Sequence, residues 1–172
     1  MGYRGTWIAA KGVNAKRLLP ELGWERTGER YKDHCDTGVV LFRRGPWVGV
    51  FADGFEFFEE LTEEQARTCA PNTETLFCQA GDSSMQSQIR SFRGGEETWS
   101  VVKPGGPPVR PTVTGRPPAA LDPIMEDMGA SQESSEYVDY WFEVAVALGE
   151  ELLDFRYDRP RSDKRFERLR RP

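Results

Sequence analysis

The sequence predicts an α+β fold, with a mostly antiparallel sheet of about six or seven strands and a few short helices packed on one side. Short β-rich runs recur along the chain with turn residues between them, whereas helical spacing of apolar residues is confined to a few short segments. A chain of 172 residues is long enough to bury a core without disulfides. Its composition, with 30% charged and 12% aromatic residues, is typical of a globular protein.

The first half of the chain contains the clearest local signals. The stretch GTWIAAKG predicts a strand over 6–10, and NAKRLLPELG predicts a helix capped by Asn14 and ended by Gly23. The stretch GVVLFRRGPWVGVFA predicts a hairpin around 44–46, and its two continuous apolar runs place both strands in the centre of the sheet. A capping box between Thr62 and Gln65 opens a second helix in TEEQARTCA.

The second half alternates between strands and less regular stretches. TETLFCQA and SMQSQIRSFR read as strands, and the glycines at 94–95 turn the chain into a third, EETWSVV. The proline-rich stretch 103–118 predicts a long loop, because proline cannot donate to a strand ladder. In YVDYWFEV, apolar and polar residues alternate over 138–144, which predicts a half-buried strand followed by a helix.

Charge divides the chain unevenly. We expect a single domain over 1–158, including the 103–118 loop, and a basic C-terminal tail over 159–172. Residues 156–172 contain eight basic and three acidic residues, so the other 155 residues carry a net charge of −10 within a total of −5. Such an acidic body repels nucleic acid and attracts basic proteins. We therefore expect a protein partner, with nucleic acid bound at most weakly by the tail.

The hexapeptide YKDHCD contains the only histidine, His34, next to Cys35. Neighbours in an extended chain point in opposite directions, so these two side chains do not readily form a nucleophile–base dyad. The other cysteines, Cys69 and Cys78, lack the spacing of a zinc knuckle. No GxGxxG, P-loop, HExxH or GxSxG motif occurs. We interpret YKDHCD as a solvated loop and expect no catalytic residue, cofactor or metal.

The acidic and aromatic stretch FADGFEFFEE has two interpretations. Its carboxylates are compatible with the active site of a small hydrolase. The same hydrolase alternative includes a catalytic role for His34 and Cys35. Without partner groups for catalysis, a protein-binding surface is favoured, in which aromatic side chains are buried and acids pair with arginines. The interface candidates are Asp53, Glu56, Phe57, Glu59 and Glu60, together with Trp141.

Three stretches, MGYRGTWIAAKG, EETWSV and VDYWFEVAVALGEELLDFRYD, resemble a family of small bacterial cytosolic proteins of unknown function. Those proteins share a GYxGxWIA start, a WSV strand and a VDYxF segment followed by a helix and FRYD. The resemblance implies a bacterial cytosolic protein but no activity and no catalytic residue.

A cytoplasmic location also fits the lack of a signal peptide and of any apolar run of roughly 18 residues. We expect a non-catalytic acidic binding protein without membrane contact, most concretely an immunity or antitoxin-like inhibitor of a basic protein such as a toxin. The alternative is the small hydrolase.

Overall fold

The computed structural model describes residues 3–32, 38–54, 59–159 and 166–172. The strands are β1 Arg4–Lys11, β2 Glu25–Tyr31, β3 Val39–Arg44, β4 Trp47–Asp53, β5 Thr75–Gly81, β6 Gln86–Arg93, β7 Glu96–Lys103, β8 Thr112–Gly115 and β9 Phe166–Arg170. The helices are α1 Ala15–Leu22, α2 Glu63–Thr68, α3 Leu121–Glu133 and α4 Glu143–Leu153, with a 3₁₀-helix at Tyr140–Phe142. These strands form one antiparallel sheet in the order β2-β9-β3-β4-β1-β5-β6-β7-β8.

Strand β1 lies in the middle of the sheet, between β4 and β5. Its side chains alternate between two apolar clusters, with Trp7 and Ala9 in one and Ile8 and Ala10 in the other. All four residues are at most 1% exposed. Both faces of the central strands therefore have to be covered by other parts of the chain.

Helices cover both faces of the sheet. Helices α1 and α2 pack on the face that carries Ile8, here called the α1 face, and α3 and α4 pack on the opposite face, here called the α4 face. The α+β class is confirmed, but the expected six or seven strands are too few, and the prediction of helices on one side is wrong. Continuous apolar runs in β3 and β4 bury both faces of the sheet, so one layer of helices is not enough.

The local signals of the first half are confirmed. Asn14 Oδ1 accepts a hydrogen bond from the backbone N–H of Arg17 at 3.0 Å, and Gly23 ends α1 in the left-handed conformation. Thr62 and Gln65 form the capping box of α2. Strands β3 and β4 form a hairpin, with Arg44 opposite Trp47.

The strand predicted over 138–144 is wrong. Val138 is exposed, and the chain then forms the 3₁₀-helix and enters α4. Asp139 begins this turn, since its Oδ1 accepts a hydrogen bond from the backbone N–H of Phe142 at 3.3 Å. A capping aspartate therefore overrides the alternating pattern, which by itself does not distinguish a strand from a short helical turn.

The proline-rich stretch 103–118 is not a loop throughout. Strand β8 lies within it and pairs with β7 through Trp99 opposite Gly115 and Val102 opposite Thr112. All four residues of β8 are exposed, and β8 is the last strand of the described sheet. Prolines flank β8 but do not interrupt it, so its backbone N–H groups remain free to join the ladder.

The C-terminal segment 159–172, expected to be a tail, contributes β9 to the sheet. Strand β9 lies between β2 and β3, and both Phe166 and Leu169 are buried. Its arginines pair with acids on neighbouring elements, as when Arg170 Nε donates to Glu25 Oε1 at 2.5 Å. Residues 166–170 are thus part of the sheet.

The FRYD segment that follows α4 is held by packing and charge. Phe155 stacks on Phe42 with ring centroids 4.5 Å apart, and Tyr157 stacks on Trp7 at 5.8 Å. Between them, the side chain of Arg156 is 6% exposed and forms ion pairs with three carboxylates. These are Glu143 at 2.7 Å, Glu150 at 3.5 Å and Asp158 at 2.6 Å. The segment therefore fixes the end of α4 against the sheet.

Candidate protein-binding site

The structure describes four of the six predicted interface residues. Glu56 and Phe57 lie outside the described residues, as do His34 and Cys35. Asp53 ends β4 and is half-buried, and its backbone N–H donates to the carbonyl of Gly38 at 3.0 Å. Glu59 is exposed in a turn that precedes α2.

Glu60 is already neutralised by Arg171, which follows β9. The same guanidinium donates through Nη1 to the carbonyl of Gly23 at 3.0 Å and lies 4.2 Å from the ring of Trp24. Arg171 thereby also satisfies a carbonyl at the end of α1. These contacts give Glu60 a place in holding β9 against α1.

Trp141 lies on the α4 face, whereas Leu61, next to Glu60, belongs to the cluster on the α1 face. Glu60 is held at the β9 side of the sheet, while Trp141 packs against α3. The structure therefore does not bring Trp141 together with Glu60.

Trp141 lies instead at a groove between α3 and the chain that contains β8. A Cβ added to Gly129 would be 3.2 Å from Trp141 Cη2, so the absence of a side chain at Gly129 lets the indole pack closely against α3. On the other side, the guanidinium of Arg110 lies 5.8 Å from the ring. The groove has a volume of about 1090 Å³. Its lining residues include Arg110, Val113, Arg116, Leu121, Asp122, Met125, Glu126, Gly129, Glu133 and Trp141.

Polar contacts of the buried Lys103 side chain fix this groove. Lys103 ends β7 with no exposed side-chain surface, and its Nζ lies 2.6 Å from Asp139 Oδ2. The same ammonium donates to the carbonyls of Gly106 at 3.2 Å and Pro107 at 3.2 Å. Lys103 thus joins the chain leading to β8 to the turn that carries Trp141.

Gln132, near the end of α3, holds the same turn from the helix side. Its Oε1 accepts a hydrogen bond from the backbone N–H of Tyr140 at 2.9 Å, and its Nε2 donates to the carbonyl of Val138 at 3.1 Å. The residue before Trp141 is therefore bound to α3 through its backbone. This preorganises the indole at the groove.

Acidic residues dominate α3 and the chain after it. The sequence from Pro117 to Phe155 contains ten Asp or Glu and no Lys, Arg or His. Six of these acids are exposed. Five of the six lie in α3 or just after it, and none of these five forms an ion pair with any described residue. We call this set the α3 acids; they are Asp122, Glu126, Asp127, Glu133 and Glu136.

Two observations concern groups with catalytic potential in the described part of the chain. Within it, no group of three His, Cys, Asp or Glu side chains is arranged to hold a metal ion. Burial raises the pKa of the Cys69 thiol to about 11 and that of Cys78 well above its ordinary value. Both described thiols are therefore protonated near neutral pH and are poor nucleophiles.

Sequence reasoning missed the α3 wall of this groove. Leu121, Met125 and Met128 follow helical spacing, and the stretch 117–155, which contains acids but no Lys, Arg or His, marks an unusual surface. Both signals are visible in the sequence. The opposite wall is formed by β8, which depends on pairing with β7 and has no signal of its own.

Comparison with protein-family models, with curated proteins and with solved structures gives no match for this chain. The resemblance based on the GYxGxWIA, WSV and VDYxF stretches therefore remains a prediction. Among the described residues, no helix has the length and apolar character needed to cross a bilayer.

Proposed function

We propose that this protein is a non-catalytic binding protein of the bacterial cytosol that binds a basic protein at the groove between α3 and β8. Its most concrete role is that of an immunity or antitoxin-like inhibitor, with a basic toxin as partner. The observation that carries the proposal is the row of α3 acids beside Trp141, exposed and without ion pairs among the described residues.

The charge of α3 is unfavourable for the isolated chain. Asp122 and Glu126 are four residues apart on one helix, and like charges at this spacing destabilise a helix by about 0.2–0.5 kcal/mol. A basic surface placed against α3 removes this repulsion. Acidic surfaces also speed association with basic proteins by electrostatic steering.

The groove supplies an apolar anchor next to these charges. Trp141 is half-buried at the groove, and Val113 of β8 is 40% exposed across from α3. Tryptophan is enriched among the residues that contribute most to protein–protein binding. An apolar core that contains aromatic residues and has a polar rim is the usual composition of such an interface.

The hydrolase alternative gains no supporting observation from the described residues. Of the carboxylates assigned to it, Glu60 is paired with Arg171, and Glu59 is exposed in a turn. Neither residue lines the groove between α3 and β8.

The proposal is tested by affinity capture from a lysate of the host cell with two matched variants. One replaces Asp122, Glu126, Asp127 and Glu133 with their amides. The control replaces four other exposed acids, Glu21, Glu59, Glu64 and Glu96, with glutamine and changes the net charge by the same amount.

We expect the wild-type chain and the control to retain one stoichiometric basic protein, and the α3 variant to lose it. Equal capture by all three chains would remove α3 from the interface. Loss of the partner only in the control would place the interface on the Glu59 side of the molecule instead.

A further inference from the structure

We propose that the pocket between β2, β9 and β3 binds a phosphomonoester dianion through Arg30 and Arg43. This site goes beyond the proposed function. It lies on the α1 face towards the β2 edge of the sheet, whereas the groove lies on the α4 face at the β8 edge. The pocket has a volume of about 200 Å³ and is lined by Arg26, Arg30, Leu41, Arg43, Phe166 and Glu167.

The strand register explains why these side chains meet. Arg30 of β2 is opposite Glu167 of β9, which is opposite Leu41 of β3. Arg26 is opposite Leu169, across an irregularity in the register of β2. Residues 167 and 169 of β9, like 41 and 43 of β3, are two apart and share a face. Three arginines from two strands therefore line one pocket with a carboxylate of the strand between them.

The carboxylate of Glu167 accepts hydrogen bonds from Arg26 and from the backbone of Gly28. Glu167 accepts from Arg26 Nε at 2.9 Å and Nη2 at 2.6 Å, and from the backbone N–H of Gly28 at 3.3 Å. The side chain of Glu167 is only 9% exposed. Hydrogen bonds from Arg26 lower the pKa of Glu167, and those with Glu167 raise the pKa of Arg26, so the pair stays ionised.

Arg30 and Arg43 are the two arginines of the pocket that have no direct ion pair with a described residue, although the charge of Arg30 also helps to lower the pKa of Glu167. Both side chains are exposed. The pocket thus contains three positive charges and one negative charge, an excess of two. Leu41, 3% exposed, adds an apolar surface that strengthens charge interactions nearby.

A dianion with several oxygen atoms fits this arrangement best. Arginine guanidinium groups bind phosphate oxygens in a bidentate manner, and two of them match the two charges of a phosphomonoester. The pocket is small, which favours one phosphate group over a length of nucleic acid. The phosphodiesters of nucleic acid also carry a single charge each and neutralise only half of the excess.

The test is a titration of the full chain with inorganic phosphate at a pH where phosphate is mainly the dianion, with sodium chloride holding the ionic strength constant. Side-chain N–H resonances of the arginines report binding in nuclear magnetic resonance spectra. Arg30→Gln with Arg43→Gln removes the proposed ligands. Arg93→Gln is the matched control, because Arg93 is exposed, has no ion pair among the described residues and lies at the end of β6.

We expect saturable binding by the wild-type chain and the Arg93 variant, and at least a tenfold weaker affinity in the double variant. Glu167→Gln is expected to bind phosphate several-fold more tightly, since it frees Arg26 and removes a competing carboxylate. Shifts that do not saturate, or equal affinities in the double variant and the control, overturn the proposal.

Two further ligands distinguish the sources of phosphate. A small phosphomonoester is expected to bind as inorganic phosphate does, and an RNA oligonucleotide without terminal phosphates is expected to bind more weakly at equal phosphate-group concentration. Tighter binding of the oligonucleotide that is lost in the double variant would overturn the assignment to a monoester.

Discussion

The side chain of Lys103 lies at the end of β7, where its ammonium group meets the carboxylate of Asp139 and three backbone carbonyls. A buried ion pair adds little stability compared with apolar residues, but removal of one partner leaves the other charge buried and alone. Lys103 and Asp139 therefore matter chiefly because they fix the groove. They join the chain leading to β8 to the turn that carries Trp141.

Replacement of Lys103 by methionine is expected to lower the free energy of unfolding by about 3–5 kcal/mol, because Asp139 and the carbonyls lose their donor. Urea denaturation measures this loss. Lys16→Met is the control, since Lys16 is exposed on α1 and its replacement is expected to change stability by less than about 0.5 kcal/mol. A similar small change in the Lys103 variant would mean that the pair does not hold the groove.

Replacement of Trp141 by alanine is expected to weaken binding of the basic partner by about 2 kcal/mol or more, the typical cost of losing an aromatic anchor. Calorimetric titration of the purified partner measures the affinity. Tyr31→Ala is the control, because Tyr31 is likewise half-buried but lies on β2, at the opposite edge of the described sheet from β8. Equal affinity of the two variants would show that Trp141 lies outside the interface.

At the scale of elements, β9 links the C-terminal end of the chain to two strands near its N-terminal end, β2 and β3. It lies between β2 and β3, so both of its edges are paired. Phe166 contributes to the cluster on the α4 face and Leu169 to the cluster on the α1 face. Without β9, β2 loses its described partner in the sheet.

Deletion of residues 166–172 is therefore expected to unfold the β2 side of the sheet and to lower the melting temperature strongly, because two buried side chains and two strand pairings are lost. Thermal unfolding and hydrogen exchange of β2 measure the effect. A truncated chain with an unchanged melting temperature and a protected β2 would mean that β9 contributes no stability.

The contact between β2 and β9 also makes stability depend on pH. Arg26 lowers the pKa of Glu167 in the folded chain, so the unfolded chain binds more protons at acidic pH. The stabilisation from this pair is complete above the pKa of an unfolded glutamate, about 4.3. It is lost as the pH falls through the lower pKa of the folded state.

Glu167→Gln is accordingly expected to flatten the decrease in unfolding free energy below about pH 5, compared with the wild-type chain. Chemical denaturation at a series of pH values measures this pH dependence of the unfolding free energy. Glu21→Gln, at an exposed position of α1, is expected to keep the wild-type pH dependence. Parallel profiles for wild type and the Glu167 variant would contradict this origin of the acid sensitivity.

At the scale of the whole molecule, the sequence patterns correctly predicted those features that depend only on residues close together in the chain. The caps at Asn14 and Thr62 and the hairpin around Gly45 are set by local chemistry, and all are present. Strands β8 and β9 depend on partners elsewhere in the chain. The proline content of 103–118 and the charge of 159–172 therefore predicted a loop and a tail where the structure has these strands.

The candidate site divides in the same way. Trp141, predicted to be an interface residue, lines the groove, whereas Glu60 is paired with Arg171 next to β9. The acids that lie beside Trp141 are those of α3, which come into place only through the packing of α3 against the 3₁₀-helix and α4.

The central claim is that the α3 acids bind a basic protein, and its most direct measurement is the affinity of the captured partner at low and at high salt. The wild-type chain is expected to lose at least tenfold in affinity as salt is raised, whereas the α3 variant binds weakly at both concentrations. An affinity that is unchanged by salt, or a salt dependence shared by the wild-type chain and the α3 variant, would contradict the claim.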